Sequence, residues 1–101
     1  MIGLNNVATL YANVGQSGGK PAFAARGKAF SCRCEPAYQH AASGQSIEET
    51  ADTLFFAKDI AINPGDRIVF DGRAYLVKRV DALRAFTKIH HLEIYAKAEG
   101  T

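Results

Sequence analysis

The chain has 101 residues, of which 48% are hydrophobic, 10% aromatic and 22% charged, the balance of one folded domain spanning residues 1–101 and too little for two. A domain of this size hides only roughly 60–65% of the surface its unfolded chain exposes, which argues against an enclosed bed for a large cofactor. Twelve Lys and Arg against ten Asp and Glu leave a net charge of +2, spread along the chain, which argues against a nucleic-acid-coating or polybasic membrane-binding protein.

The first predicted strand covers Asn6 to Val14, where Val, Thr, Leu, Tyr and Val alternate; Gly15-Gln16-Ser17-Gly18-Gly19 then breaks the pattern into a flexible loop. Lys28 to Glu35 reads as strand two, with Phe30, Cys32 and Cys34 inward and Ser31, Arg33 and Glu35 outward, before Pro36 stops regular pairing. Pro36 to Asp52 is a long loop, and a loop of that length in so small a domain is functional or disordered. Ser46 with Glu49 fits a capping box and one helical turn within it. Thr53 to Lys58 is strand three, continued by Ile60 to Ile62 after a bulge or bend.

Asn63-Pro64-Gly65-Asp66 is turn chemistry, so a strand starts at Asp66 and runs through Arg67 to Phe70. Asp71-Gly72 suits a type I′ hairpin, and Arg73 to Val80 is its return strand. There Tyr75, Val77 and Arg79 share one face and Leu76, Lys78 and Val80 the other, so partial burial on both is expected. Asp81 to Lys88 reads equally as a wide turn or a short helix-like bend. Ile89 to Lys97 closes the chain as a half-buried strand, with Leu92, Ile94 and Ala96 on one face and His91, Glu93, Tyr95 and Lys97 on the other. About six short strands separated by turns predict an all-β fold, a small antiparallel β-barrel or sandwich with a long loop between strands two and three, because closure removes edges that a short domain cannot otherwise protect.

No constellation in the chain reads as an active site. Cys32 and Cys34 with His40, His90 and His91 supply zinc-ligand chemistry, but the cysteine spacing is shorter than structural zinc sites favour, and adjacent histidines on a strand face opposite ways. On one strand face the two cysteines lie about 6.5–7 Å apart at Cα, at or beyond disulfide reach, so they read as reduced core residues. A cysteine nucleophile with a histidine base has no local signature. Lys20, Arg26 and Lys28 form a basic loop without an acidic residue, able to touch phosphates, although ordinary solvation also accounts for three charges. Glu48, Glu49 and Asp52 make a small acidic cluster. The four tyrosines suit partner contacts or partly buried strand positions. The expectation is a module that acts by binding, without enzymatic activity, metal or cofactor. No apolar run approaches the ~20 residues of a membrane span, and Met1 to Thr9 has no secretory pattern, so membrane contact and export are not expected.

The run Asp52-Thr-Leu-Phe-Phe, then Asp59 through Asp66 to Tyr75-Leu-Val, then Ile89-His-His-Leu-Glu-Ile-Tyr95, resembles the head-tail joining proteins of tailed bacteriophages, also called head-closure, stopper or minor capsid connector proteins. The shared pattern is a polar Gly-Asp turn, a hydrophobic strand, an Asp-Gly-type hairpin, an aromatic strand and a closing strand, and it extends over nearly the whole chain. The resemblance implies a virion protein at the head–tail interface, assembled in the bacterial cytoplasm. It would form a homo-oligomeric ring, six- or twelvefold, below the portal and adaptor proteins, retain packaged double-stranded DNA and offer the attachment site to a tail terminator or tail tube. It further implies that the loop around Gln39, His40, Ser43, Gly44, Gln45, Ser46, Glu48, Glu49 and Thr50 projects into the channel, where its small residues would permit a gating movement. A tail-terminator or tail-completion protein is the alternative from the same setting. A small nucleic-acid-binding barrel is a further alternative that the low net charge disfavours.

Overall fold

A computed structural model describes residues 4–37, 51–58, 60–85 and 88–99. Eight strands run in chain order: β1 (Asn6–Tyr11), β2 (Asn13–Ser17), β3 (Lys20–Phe23), β4 (Lys28–Pro36), β5 (Thr53–Ala57), β6 (Arg67–Phe70), β7 (Arg73–Ala85) and β8 (Lys88–Ala98). Six of them close an antiparallel barrel in the order β1-β4-β5-β8-β7-β6, with β6 returning to β1, while β2 and β3 form a separate two-stranded sheet. The expected small all-β barrel is therefore the fold. Full closure satisfies the backbone groups along both sides of every wall strand, which an open sheet of this size would leave exposed.

The interior is set by strict alternation. Ala8 and Leu10 on β1, Phe30 and Cys32 on β4, Phe55 and Ala57 on β5, and Leu92, Ile94 and Ala96 on β8 all point inward and are buried. Phe55 sits at the centre, edge-on to Phe70 at 5.9 Å and to Tyr75 at 5.2 Å between ring centroids. Each such pair contributes about 0.5–1.5 kcal/mol beyond its buried area. A second cluster lies on the outside of the wall, where Leu54, Phe56 and Tyr95 pack with Ala37, Ala51 and Leu4. It explains the apolar run of β5, which is buried on both faces and so has no polar alternation. The two faces of β8 are as expected, but its outer face is not simply exposed: Tyr95 points away from the barrel interior and is buried in this second cluster.

Three further expectations are corrected. Residues 60–63 carry no strand; Ile60 and Ile62 instead turn their side chains onto the core, so their apolar character reflects plugging of the barrel end. The segment from Asp81 onward is neither a wide turn nor a bend, because β7 continues to Ala85 and pairs with β8 down to Ala85↔Lys88. The alternation of β7 breaks at a bulge, where Val77 faces Ala96 and Arg79 faces Tyr95 with Lys78 between them. The extra residue flips the register, so Tyr75 and Val77 point inward before the bulge and Val80 packs against the core after it. The mixed faces read from the sequence are thus one inward face interrupted by a bulge. The Asp71-Gly72 turn has the expected form, with φ of 54° and 76°, the left-handed pair of a type I′ hairpin.

Because successive wall strands are antiparallel, their connections leave at alternate ends. The β2–β3 sheet, residues 60–66, the end of β7 and the start of β8 sit at one end; Ala37 and Ala51, the roots of the β4–β5 connection, and the Asp71-Gly72 turn sit at the other.

Candidate functional site

The segment expected to be a flexible glycine-rich loop is a β-hairpin arm. Gly18 and Gly19 take φ of 60° and 81°, again the type I′ geometry that two-residue hairpins prefer because it matches strand twist. The arm pairs Asn13↔Phe23, Gly15↔Ala22, Gln16↔Pro21 and Ser17↔Lys20, with Val14 bulged out of the ladder. Ten consecutive residues, 12–21, are exposed. The sequence signal was present in the Gly-Gly dipeptide between Val14 and Phe23; three glycines among the five residues 15–19, two of them at the turn, obscured the flanking strands.

The root of the arm is fastened to the barrel through residues far apart in sequence. The buried carboxylate of Asp66 accepts a hydrogen bond from Asn13 N at 2.9 Å through one oxygen and from Asn63 N at 2.9 Å through the other. The Asn13 side chain donates to Gly65 O at 3.1 Å and accepts from Gly15 N at 2.8 Å. Ala24 N donates to Ala12 O at 2.8 Å. Phe23 carries the Arg67 guanidinium over its ring at 4.0 Å, and Arg67 in turn makes a two-point ion pair with Glu99 at 2.7 and 2.9 Å. The Arg67 guanidinium is pushed above its ordinary value, chiefly by the hydrogen bonds it donates to the Glu99 carboxylate. The Asn-Pro-Gly-Asp turn read from the sequence is therefore also the socket of the arm, a role that local turn chemistry did not signal.

Lys20 stands at the tip of this arm, and Arg26 and Lys28 lie where the chain re-enters the wall; all three are exposed. Along β3 the tip is about 10 Å from the root at strand spacing, so Lys20 at the tip stands apart from Arg26 and Lys28 beyond the root, and the three do not converge on one phosphate-sized site.

The expected channel loop, Gln39 to Thr50, lies outside the described residues, as do Tyr38, His40 and the Ser46–Glu49 pair. Its two roots are described. Ala37 and Ala51 are buried, Ala37 N donates to Asp52 O at 3.1 Å, and Asp52 N donates to Ala96 O at 3.0 Å. The Asp52 carboxylate accepts from Ala98 N at 3.1 and 3.2 Å and from the Thr53 hydroxyl at 2.8 Å. Asp52, read with Glu48 and Glu49 as part of an acidic cluster, is a clamp that ties the start of β5 to the end of β8.

Cys32 and Cys34 are both free thiols. Burial, with a smaller push from Cys34, raises the Cys32 thiol to about 11; burial and the neighbouring Glu35 raise Cys34 as well. A thiol held protonated in an apolar interior is a poor nucleophile. Among the described residues, no three His, Cys, Asp or Glu side chains are placed to hold a metal ion. A shallow depression of about 260 Å³ on the outer face of β7 and β8 is lined by Leu76, Lys78, Lys97, Ala98 and Glu99. Its one carboxylate is already engaged by Arg67.

What these features offer chemically is contact: an exposed arm on a fixed root at one end of a closed barrel, and a clamped long connection at the other. No protein-family model matches the chain, and comparison with curated proteins finds no match.

Proposed function

We propose that the protein is a structural subunit of a tailed-bacteriophage virion, one of a ring at the head–tail interface that closes the portal channel, retains packaged DNA and provides the tail attachment site. The observation that carries this reading is a closed barrel with an exposed hairpin arm at one end and the clamped roots of its other long connection, Ala37 and Ala51, at the opposite end. A ring member between head and tail has to reach its neighbours and the channel at once, and a barrel without free edges can do so only through what projects from it. The sequence pattern from Asp52 to Tyr95, resembling head-tail joining proteins, supplies the setting. On this reading the protein acts by assembly and carries out no chemical step.

The test is to mix the purified protein with portal-bearing, DNA-filled heads that lack it. The expected result is added ring density below the portal and heads that hold their DNA and accept tails. Heads that gain no density and stay leaky would overturn the reading. Binding to isolated tail tubes in place of heads would transfer the protein to the tail-terminator class.

A further inference from the structure

We infer that the hairpin arm of one copy lies across the outer β1–β4 face of a second copy, Val14 against Val7, as the head-to-tail contact that builds the ring. This deepens the ring reading above and rests on it. Val7 and Val14 are the exposed large hydrophobic residues among those described, each 65% exposed. One lies on the barrel wall and the other on the arm.

The face around Val7 is built to be covered. Alternation with the inward residues of β1 and β4 sends Val7, Thr9, Ala29 and Ser31 outward, in the cross-strand pairs Val7↔Ser31 and Thr9↔Ala29, and Val69 of β6 continues the row beside Thr9. These five side chains are small and uncharged, so another backbone can approach closely without stripping water from an ion. The arm matches them: between Asn13 and Phe23 its only charge is Lys20 at the tip, whose long stem lets the ammonium stay in water.

An arm can join a partner by its edges or by its faces, and here the edges are blocked. The residues flanking a two-residue turn exchange both backbone bonds, so the next pair, Gln16 and Pro21, points its backbone groups outward. On β3 that outward position is a proline with no N–H to give, and on β2 the ladder is broken by the bulge at Val14. Prolines and bulges are devices that stop strand addition. The face therefore makes the contact. The arm's own barrel is not the acceptor: its root is held at Asn13, Ala24 and Phe23, and both valines stand exposed in the single chain.

The contact is heterologous, one patch meeting a different patch, which closes into a ring or continues as a filament. It is also small. The ten exposed residues at 12–21 are at most half of the roughly 20–30 per partner in a stable pair. Single contacts should thus be transient in free protein and become durable when a template presents many together.

Disulfide trapping tests this, because oxidation captures brief encounters. Val7→Cys and Val14→Cys proteins, each checked for an unchanged melting profile, are oxidised with copper phenanthroline separately and mixed, in concentrated solution and on portal-bearing heads. Of the native thiols Cys32 is buried and Cys34 half-buried, and the parent protein oxidised alongside sets the background. The expected result is a disulfide dimer in the mixture several-fold above either protein alone, and a ladder of higher multimers from the Val7→Cys/Val14→Cys double variant. Val14→Cys alone linking as well as the mixture would show arm-to-arm pairing and overturn the inference. So would a mixture that gives no link in solution or on heads. Ring density on heads without the link removes this contact and leaves the connector reading standing; the link without ring density does the reverse.

Discussion

Asp66 joins three pieces of backbone with one side chain. It is the buried charged residue of the described core, and its two oxygens accept from Asn13, 53 residues away in sequence, and from Asn63. Hydrogen bonds to a charged group contribute about 1.5–3 kcal/mol each, and deleting the acceptor leaves both donors unsatisfied. Asp66→Ala should therefore lower stability by about 3 kcal/mol, read as a drop in the urea midpoint. Gly27 is constrained differently. A Cβ there would come to 2.2 Å from Thr9 Cγ2 and 2.8 Å from the Tyr11 ring. Gly27→Ala should cost about 1–3 kcal/mol by overpacking, and adding Thr9→Ser, which removes that methyl, should recover part of the loss. Cys32 sets an alkaline limit. Its folded value of about 11 lies above the ordinary thiol value of 9.0, so the folded state holds the proton more tightly than the unfolded chain. Its contribution is fully present below pH 9 and is lost as pH rises through 11. Urea midpoints measured across that window should fall, and Cys32→Ala should flatten the onset of the decline.

Two elements share one turn chemistry but sit in different places. The arm turns at Gly18-Gly19 and the wall hairpin at Asp71-Gly72, all four with positive φ. A β-branched residue in that region costs about 1–2 kcal/mol in either turn. The consequence differs because β6 and β7 are wall strands, whereas β2 and β3 pair only with each other. Gly72→Val should lower the global melting temperature. Gly19→Val should leave it nearly unchanged and speed amide hydrogen exchange in residues 13–23 alone. The same distinction explains why the arm reads poorly from sequence. A wall strand advertises itself by apolar alternation, as Ala8 and Leu10 do, while an exposed arm buries nothing and is specified only by its turn and by contacts at its root.

At the scale of the molecule, the barrel and the arm are separable. Replacing residues 14–22 by Asn-Gly keeps Asn13 on Asp66 and Phe23 on Arg67, and substitutes one type I′ turn for a longer hairpin. The shortened protein should unfold cooperatively with stability within about 0.5 kcal/mol of the parent, measured by denaturant titration. It should also fail to add ring density to portal-bearing heads. An intact barrel that still forms rings without its arm would move the subunit contact elsewhere.

The amino-acid sequence by itself determined much of the wall: strand periodicity, the Asp71-Gly72 turn and the inward faces of β4 and β8 are local patterns, and local patterns are written in neighbouring residues. It also determined that the paired cysteines would be reduced interior residues, since their spacing on one strand face leaves them poorly placed for a disulfide. Tertiary structure alone decided three things. The flip of β7 depends on a bulge at Lys78, where two residues oppose one on β8. Outer burial of Leu54, Phe56 and Tyr95 depends on Ala37, Ala51 and Leu4 meeting across the wall. The arm stands where it does because Asp66, Arg67 and Glu99 reach it from the far half of the chain. Each of these rests on contacts between residues distant in sequence, which no spacing along the chain encodes and which exist only once the barrel has closed.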